Sequence, residues 1–413
     1  MNKVDILCMA SKKQMVGPVI IHRSILKNSD YFLNRGFKIS ILFKEGLVTK
    51  YQDLVASSND LTFMRVKKVR LALAKAIKGL ILYSCKKNKF LTTLQYHFFD
   101  KRRERLVKNY LELNRNPSIV VTDSEREMFH LLKNRNSEFK TILFFHSDGI
   151  PMKMQLIDLP LLIKTRLYKD LIARLNFVIQ NVDKIVFICK IGKDNFLKSY
   201  PDFDQSKLEV IPNGIENISF KKYSKPVLQK RPIKLCCVGS VSYRKGQDII
   251  VNALSNTRDE ILKMIHVDIV GAGPSLQILK QRTTKMKLSN NITFWGNIDN
   301  MKVDQILLDA DIFILMSRNE GLPISIIEAM RAGLPIISTT ISGIPELVEN
   351  GVNGILLEPD PIQLTKVFNK IGKYSWAEMG KSSRRIFEKN YTIQNMISGY
   401  CDLYDNILKK TVI

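Results

Sequence analysis

Glu320-Gly-Leu-Pro-Ile-Ser-Ile-Ile-Glu328-Ala-Met-Arg-Ala-Gly-Leu-Pro-Ile-Ile-Ser338 sets two carboxylates around a Gly-Leu-Pro turn that opens an apolar helix. Just ahead, Asp-Ile-Phe-Ile-Leu-Met at 311–316 reads as a strand buried on both faces. The unit is therefore strand, loop, helix, with Glu320 in the loop and Glu328 on the second helical turn. Pro323 suits the first helical position, where its missing N–H costs nothing. Free N–H groups and the positive end of the helix dipole favour an anion at that spot. Two carboxylates beside an anion site make sense for a ligand that offers hydroxyls as well as phosphate. A sugar joined to a nucleotide diphosphate offers both.

Working outward, strand-like and helix-like segments alternate along the whole chain, which predicts an α/β fold with parallel sheets. In the first half the strand candidates are 4–9, 38–43, 118–122, 141–146 and 184–189, with helical patterns at 19–35 and 161–182. A second series follows at 234–238, 267–270, 292–295, 312–316 and 336–339. Between them, Ile-Pro-Asn-Gly-Ile at 211–215 is a turn, and the charged, Pro-bounded stretch 216–232 reads as a linker. The expected division is a first domain over 1–215 and a second over 216–392. A last helix within 393–413 is expected to cross back onto the first domain.

Composition bounds the class. A chain of 413 residues with 45% hydrophobic content can build two cores. Its six cysteines (8, 85, 189, 236, 237, 401) form no Cys-x-x-Cys pair, which suggests a reduced, cytosolic, metal-free protein. The N-terminal apolar run is short and acid-interrupted, unlike a signal peptide, and no apolar run reaches membrane-spanning length. The net charge is +25, from 64 Lys+Arg against 39 Asp+Glu. Between Arg65 and Lys108 stand 14 basic residues and only two acidic ones, Asp100 and Glu104. Lysines interleave with leucines there at helical spacing, which favours contact with an anionic membrane surface over nucleic acid or a merely solvated face.

The second half resembles the retaining nucleotide-sugar glycosyltransferases of family 4. Eight landmarks stand in the family's order: Ile211-Pro-Asn-Gly-Ile215, Val238-Gly-Ser with Arg244-Lys-Gly246, Ile269-Val-Gly-Ala-Gly-Pro274, Phe294-Trp-Gly296, Ala310-Asp-Ile-Phe-Ile314, the Glu320 to Glu328 segment, Gly343-Ile-Pro-Glu346 and Asn350-Gly-Val-Asn-Gly354. The likeness is strong from about 183 to 360 and weak before that. It implies the GT-B arrangement, two Rossmann-like domains facing across a cleft, with the acceptor bound by the first and the donor by the second.

The resemblance implies roles residue by residue. Arg244 and Lys245 hold the diphosphate. Gly296 and Ile298 contact the base through backbone, Gly321, Leu322 and Pro323 hold sugar and phosphate, and Glu328 takes the ribose hydroxyls. Glu320 reaches the donor sugar beside the reacting centre, and His146 touches that sugar with Asp148 nearby. Gly17 lies in the loop after the first strand, where glycine allows close approach to phosphate or acceptor. Three positions depart from the family pattern: Ser240 stands where Arg is common, Gly17 has no glycine partner, and Ser147 separates His146 from Asp148. The Gly271-Ala-Gly273 pair, read on its own, is either a tight turn or a ligand contact.

The implied activity is transfer of a hexose, with retention, from a nucleotide diphosphate sugar to a glycan or polyprenyl-diphosphate-linked acceptor. Bacterial surface polysaccharide synthesis (capsule, O-antigen or exopolysaccharide) is the expected setting, at the inner face of the cytoplasmic membrane. No metal or other cofactor is expected, since no Asp-x-Asp motif stands in a suitable context. The alternatives are a nucleotide-sugar epimerase of the same fold and a non-catalytic, membrane-associated member of a polysaccharide assembly.

Overall fold

A computed structural model describes residues 1–8, 17–43, 87–113, 115–135, 137–218 and 232–409. The expected linker at 216–232 and the lysine–leucine stretch within 65–86 therefore lie largely outside the described residues.

Two parallel six-stranded sheets organise the chain. The first contains β1 (Asn2–Cys8), β2 (Phe37–Phe43), β3 (Ile119–Thr122), β4 (Lys140–Phe145), β5 (Lys184–Phe187) and β6 (Leu208–Val210), in the order β2-β1-β3-β4-β5-β6. The second contains β7 (Ile233–Val238), β8 (Ile265–Val270), β9 (Ile292–Gly296), β10 (Ile312–Leu315), β11 (Ile336–Thr339) and β12 (Gly354–Leu357), in the order β12-β11-β10-β7-β8-β9. Helices connect the strands, as parallel pairing requires. Every residue of β10 and β11 is buried, and β10, Ile-Phe-Ile-Leu, reads as an unbroken apolar run. This is the GT-B architecture, two Rossmann-like units.

The second sheet has the doubly wound order in which succession reverses at its centre, between β7 and β10. Open α/β sheets place ligands at such a switch point, outside the carboxyl ends of the strands. In the first sheet the same reversal lies between β1 and β3.

The helix Ile393–Lys409 packs on the first sheet's core. Its Ile393, Met396, Ile397, Tyr400, Tyr404 and Ile407 are buried against residues including Val4, Phe32, Phe37 and Phe144. Tyr400 stacks on Phe144 at 5.3 Å and Tyr404 meets Phe37 edge-on at 5.5 Å. Each side chain buried this way contributes roughly 1.5–3 kcal/mol. The chain passes between the two units at Ile215 and again at Thr392, and the two passages are bridged: Ile215 N–H donates to Tyr391 O and Ile393 N–H to Ile215 O.

Several elements differ from expectation. The helix expected over 19–35 is two, Gly17–Lys27 and Ser29–Asn34. The break is at Asn28, whose side-chain amide donates to Ser24 O at 2.9 Å and competes with the backbone ladder. The pattern at 161–182 divides at Thr165, whose extended backbone separates a 3-10 turn, Pro160–Lys164, from the helix Arg166–Asn181. Pro323 lies one residue outside its helix, Ile324–Arg331, as the N-cap. The edge strands β6 and β12, of three and four residues, were not expected. The five described cysteines are free and buried. Among the described residues no helix is long and apolar enough to cross a membrane.

Candidate active site

At the switch point of the second sheet, the loop after β7 meets the loop after β10. Tyr243–Lys245 forms one 3-10 turn and Gly246, at φ 69°, releases the chain into the helix Gln247–Ser255. A Cβ at Gly246 would come within 1.8 Å of Met316 O, so only glycine lets the two loops pass. Arg318 N–H donates to Arg244 O at 2.8 Å and ties them together. The Arg318 guanidinium grips Asp248 with two hydrogen bonds, 2.7 and 2.8 Å, and lies over the Tyr243 ring.

This closure sets Glu320 between the two expected phosphate cations. Lys245 Nζ lies 2.7 Å from Glu320 Oε1, and Arg244 Nη1 lies 3.2 Å from Oε2. Ser317 Oγ donates to Oε1 at 2.7 Å, and Arg244 also donates to Asn319 O at 2.8 Å. Glu320 is only 6% exposed, so a carboxylate at this depth needs such partners. The cations read from sequence as a diphosphate site are here engaged by the carboxylate read as a hydroxyl acceptor.

Gly321 carries the loop against the first unit. A Cβ there would fall 2.9 Å from His146 O and 3.1 Å from the Ile188 side chain. Leu322 is buried in the second core, and the helix Ile324–Arg331 starts beside it. Glu328, on that helix, is half-buried, and its carbonyl accepts from Ala332 N–H at 3.1 Å. Burial of its carboxyl pushes its pKa up to about 7, with Arg331 pulling it down and Asp304 pushing it up. Arg331 itself pairs with Asp304 at 2.5 Å. Gly296 ends β9, and Ile298 packs its side chain on the second core. A Cβ at Gly271 would fall 2.0 Å from Gly239 O and one at Gly273 2.3 Å from Val241 O, so both positions need glycine for the turn to pack.

In the first unit, His146 directly follows β4. Its Nε2 lies 2.9 Å from Asp123 Oδ1, and Asp123 Oδ2 lies 2.7 Å from Nε2 of the fully buried His22. Sequence pointed to Asp148 as the acid beside His146. Asp148 instead pairs with Lys153, and Asn319 of the second unit donates to it at 3.3 Å. Asp123 and His22 were missed: they are 101 positions apart and meet only because β3 lies next to β1. An acid directly after a buried strand, Thr122-Asp123, was the available signal. Gly17 opens the helix Gly17–Lys27, and residues 9–16 before it lie outside the described set. A second link joins the units: Glu346 accepts the N–H groups of Lys190 and Ile191, each at 2.9 Å, at the start of the helix Lys190–Ser199.

Two Rossmann-like units with basic, acidic and helix-end groups gathered at the switch point define the class, a protein of the GT-B fold. Residues 219–390 match the family Glycosyl transferases group 1, and this part of the chain is a domain of that family. The chain is 27% identical over 295 residues to the O-antigen chain mannosyltransferase C of Escherichia coli, covering 68% of this chain and 73% of that one. It is 24% identical over 243 residues to a phosphatidylinositol N-acetylglucosaminyltransferase component of Arabidopsis thaliana, covering 54% of this chain. That match spans about half, 52%, of the relative's length. Among solved structures, Anabaena HepE in complex with UDP and glucose has a TM-score of 0.66 at 14% identity, covering 98% of this chain and 100% of that one.

Proposed function

We propose that the protein is a retaining glycosyltransferase of family 4. It moves a hexose from a nucleotide diphosphate sugar to a glycan or polyprenyl-diphosphate-linked acceptor in bacterial surface polysaccharide synthesis. The observation that carries this reading is the Glu320–Lys245–Arg244 cluster at the switch point, beside the start of the helix Ile324–Arg331. The E. coli relative, an O-antigen chain mannosyltransferase, supports the setting.

In this reading the donor diphosphate draws Lys245 and Arg244 onto its oxygens, and Glu320 turns to the sugar hydroxyls. As the anomeric C–O bond breaks, its electron pair passes to the diphosphate, where the two cations and the helix end stabilise the growing charge. The acceptor oxygen bonds the anomeric carbon on the face the diphosphate leaves. Its proton goes to a departing phosphate oxygen. No metal is required for these steps. Glu328 holds the ribose, Gly296 and Ile298 present backbone to the base, and Gly17 and His146 face the donor from the first unit.

The acceptor side belongs at an anionic membrane surface on the cytoplasmic side. The helix Lys89–Glu112 buries Thr92, Tyr96, Asp100, Val107 and Tyr110 on one face. Its opposite face exposes Phe90 (73%), Leu94 (56%) and Phe98 (67%), continued by the exposed Lys101, Arg105 and Lys108. Large apolar side chains beside cations suit the headgroup boundary of an anionic bilayer.

The test is a screen of UDP- and GDP-sugars for nucleoside diphosphate release, with product analysis by NMR. Release that needs an acceptor and yields the same anomeric configuration supports the reading. An epimerised nucleotide sugar formed from donor alone would replace it with the epimerase.

A further inference from the structure

We propose that Asp123 is a positioning residue: its carboxylate fixes the tautomer and orientation of the His146 ring at the donor cleft, and His22 anchors that carboxylate. This rests on the reading of His146 as a donor-sugar contact.

Asp123 and His146 follow β3 and β4, neighbouring parallel strands in register at Thr122 and Leu143. Both therefore emerge at the carboxyl edge of the first sheet, the side on which such sheets bind ligands. An ionised carboxylate only accepts hydrogen bonds, so the 2.9 Å and 2.7 Å contacts put a proton on Nε2 of both His146 and His22. His146 then keeps Nδ1 as its nitrogen for a ligand hydroxyl. Its backbone oxygen borders Gly321, which places residue 146 next to the Glu320 loop.

Asp123 stays charged because of His22. Burial pulls the His22 pKa down, but the Asp123 carboxylate outweighs it and the net result is a rise to about 10. Reciprocally, the two imidazoles overcome the burial of Asp123 and hold its carboxyl well below the usual range. A purely structural link between helix and sheet would be complete with the His22–Asp123 pair alone. The second carboxylate oxygen is nonetheless spent on His146. One other use competes: donor atoms of Cys8, His22 and Asp123 lie within 4.8 Å of one another, close enough to hold a metal ion.

The full chain labelled with 15N-histidine has five histidines, and the His146 signals are assigned by their loss in His146→Gln. The wild type should show His146 as the Nε2–H tautomer, Asp123→Asn a mixture of tautomers, and Asp123→Glu partial recovery. His22→Gln, which leaves Asp123 in place, should give a smaller admixture and serves if Asp123→Asn does not fold. With an active donor, Asp123→Asn should lower kcat by about 10–100-fold while UDP and GDP affinities stay within about twofold. An unchanged His146 tautomer in Asp123→Asn overturns the proposal, as does stoichiometric zinc retained by the wild type and lost in Cys8→Ser. If no donor turns over in the wild type, the donor reading fails while the tautomer result still decides the role of Asp123.

Discussion

Lys245 Nζ stands 2.7 Å from Glu320 Oε1, with both side chains largely buried at the junction of two loops. Removing one member leaves the other under-compensated in a poorly hydrated place. Arg244 remains as a second partner of Glu320, which moderates the loss. Lys245→Ala should therefore destabilise the fold by roughly 1–3 kcal/mol, less than for a fully isolated buried pair. The double variant with Glu320→Ala should lose clearly less than the sum of the single effects, measured by urea unfolding. Strict additivity would mean that the two groups do not interact. Donor turnover should fall by about 100-fold or more in Lys245→Ala if the lysine serves the leaving diphosphate.

Glu328 supplies a pH dependence. Its folded-state pKa, raised to about 7, lies above the ordinary 4.5, so the folded protein favours the protonated carboxyl. The associated stability is fully present below about 4.5 and is lost as pH rises through about 7. Over that window the wild type should lose on the order of 3 kcal/mol relative to Glu328→Gln, read as the difference between their unfolding curves at each pH. Nucleotide binding should run the other way, because the ionised carboxylate is the better acceptor for ribose hydroxyls. Affinity for UDP or GDP should thus strengthen through about pH 7 in the wild type and show less of that rise in Glu328→Gln. Parallel pH profiles of the two proteins would remove Glu328 from the nucleotide site.

Most strands of both sheets were legible because parallel strands buried on two faces leave continuous apolar runs, as in Ile312–Leu315. Glu320, Arg244 and Lys245 could each be placed at a strand's carboxyl end from spacing alone. Their mutual pairing could not, since it depends on Gly246 turning against Met316 and bringing two loops 75 positions apart into contact. The breaks at Asn28 and Thr165 escaped because each rests on one local backbone choice inside an otherwise helical pattern. His22 with Asp123 escaped for a different reason: no periodicity links residues that only sheet order makes neighbours.

Glu346 sits in the second unit yet caps a helix of the first, accepting from Lys190 and Ile191 N–H groups that otherwise lack intrahelical partners. Its negative charge also meets the positive end of that helix. Glu346→Ala should cost roughly 1 kcal/mol, the usual scale for a lost helix cap. Because the cap joins two units, the loss should appear as faster hydrogen exchange at Lys190 and Ile191 and in the Ile344–Leu347 turn together. Faster exchange on one side only would show that the contact does not couple the units.

The outward face of the helix Lys89–Glu112 joins three exposed apolar side chains to a run of cations. If it seats on an anionic bilayer, the chain should sediment with phosphatidylglycerol vesicles at low salt and progressively less as ionic strength rises, because exposed charges are screened. Phe90→Ser with Phe98→Ser should weaken binding in a way that added salt does not reproduce, since the lost term is apolar burial. Lys101→Glu with Arg105→Glu should remove the salt-sensitive part, at about 1 kcal/mol for each cation lost near the surface. Neither pair touches the Glu320 cluster, so turnover with a soluble acceptor should be unchanged in both. Equal sedimentation with neutral phosphatidylcholine vesicles would exclude electrostatic seating, and binding unaffected by both pairs would place the membrane contact elsewhere on the chain.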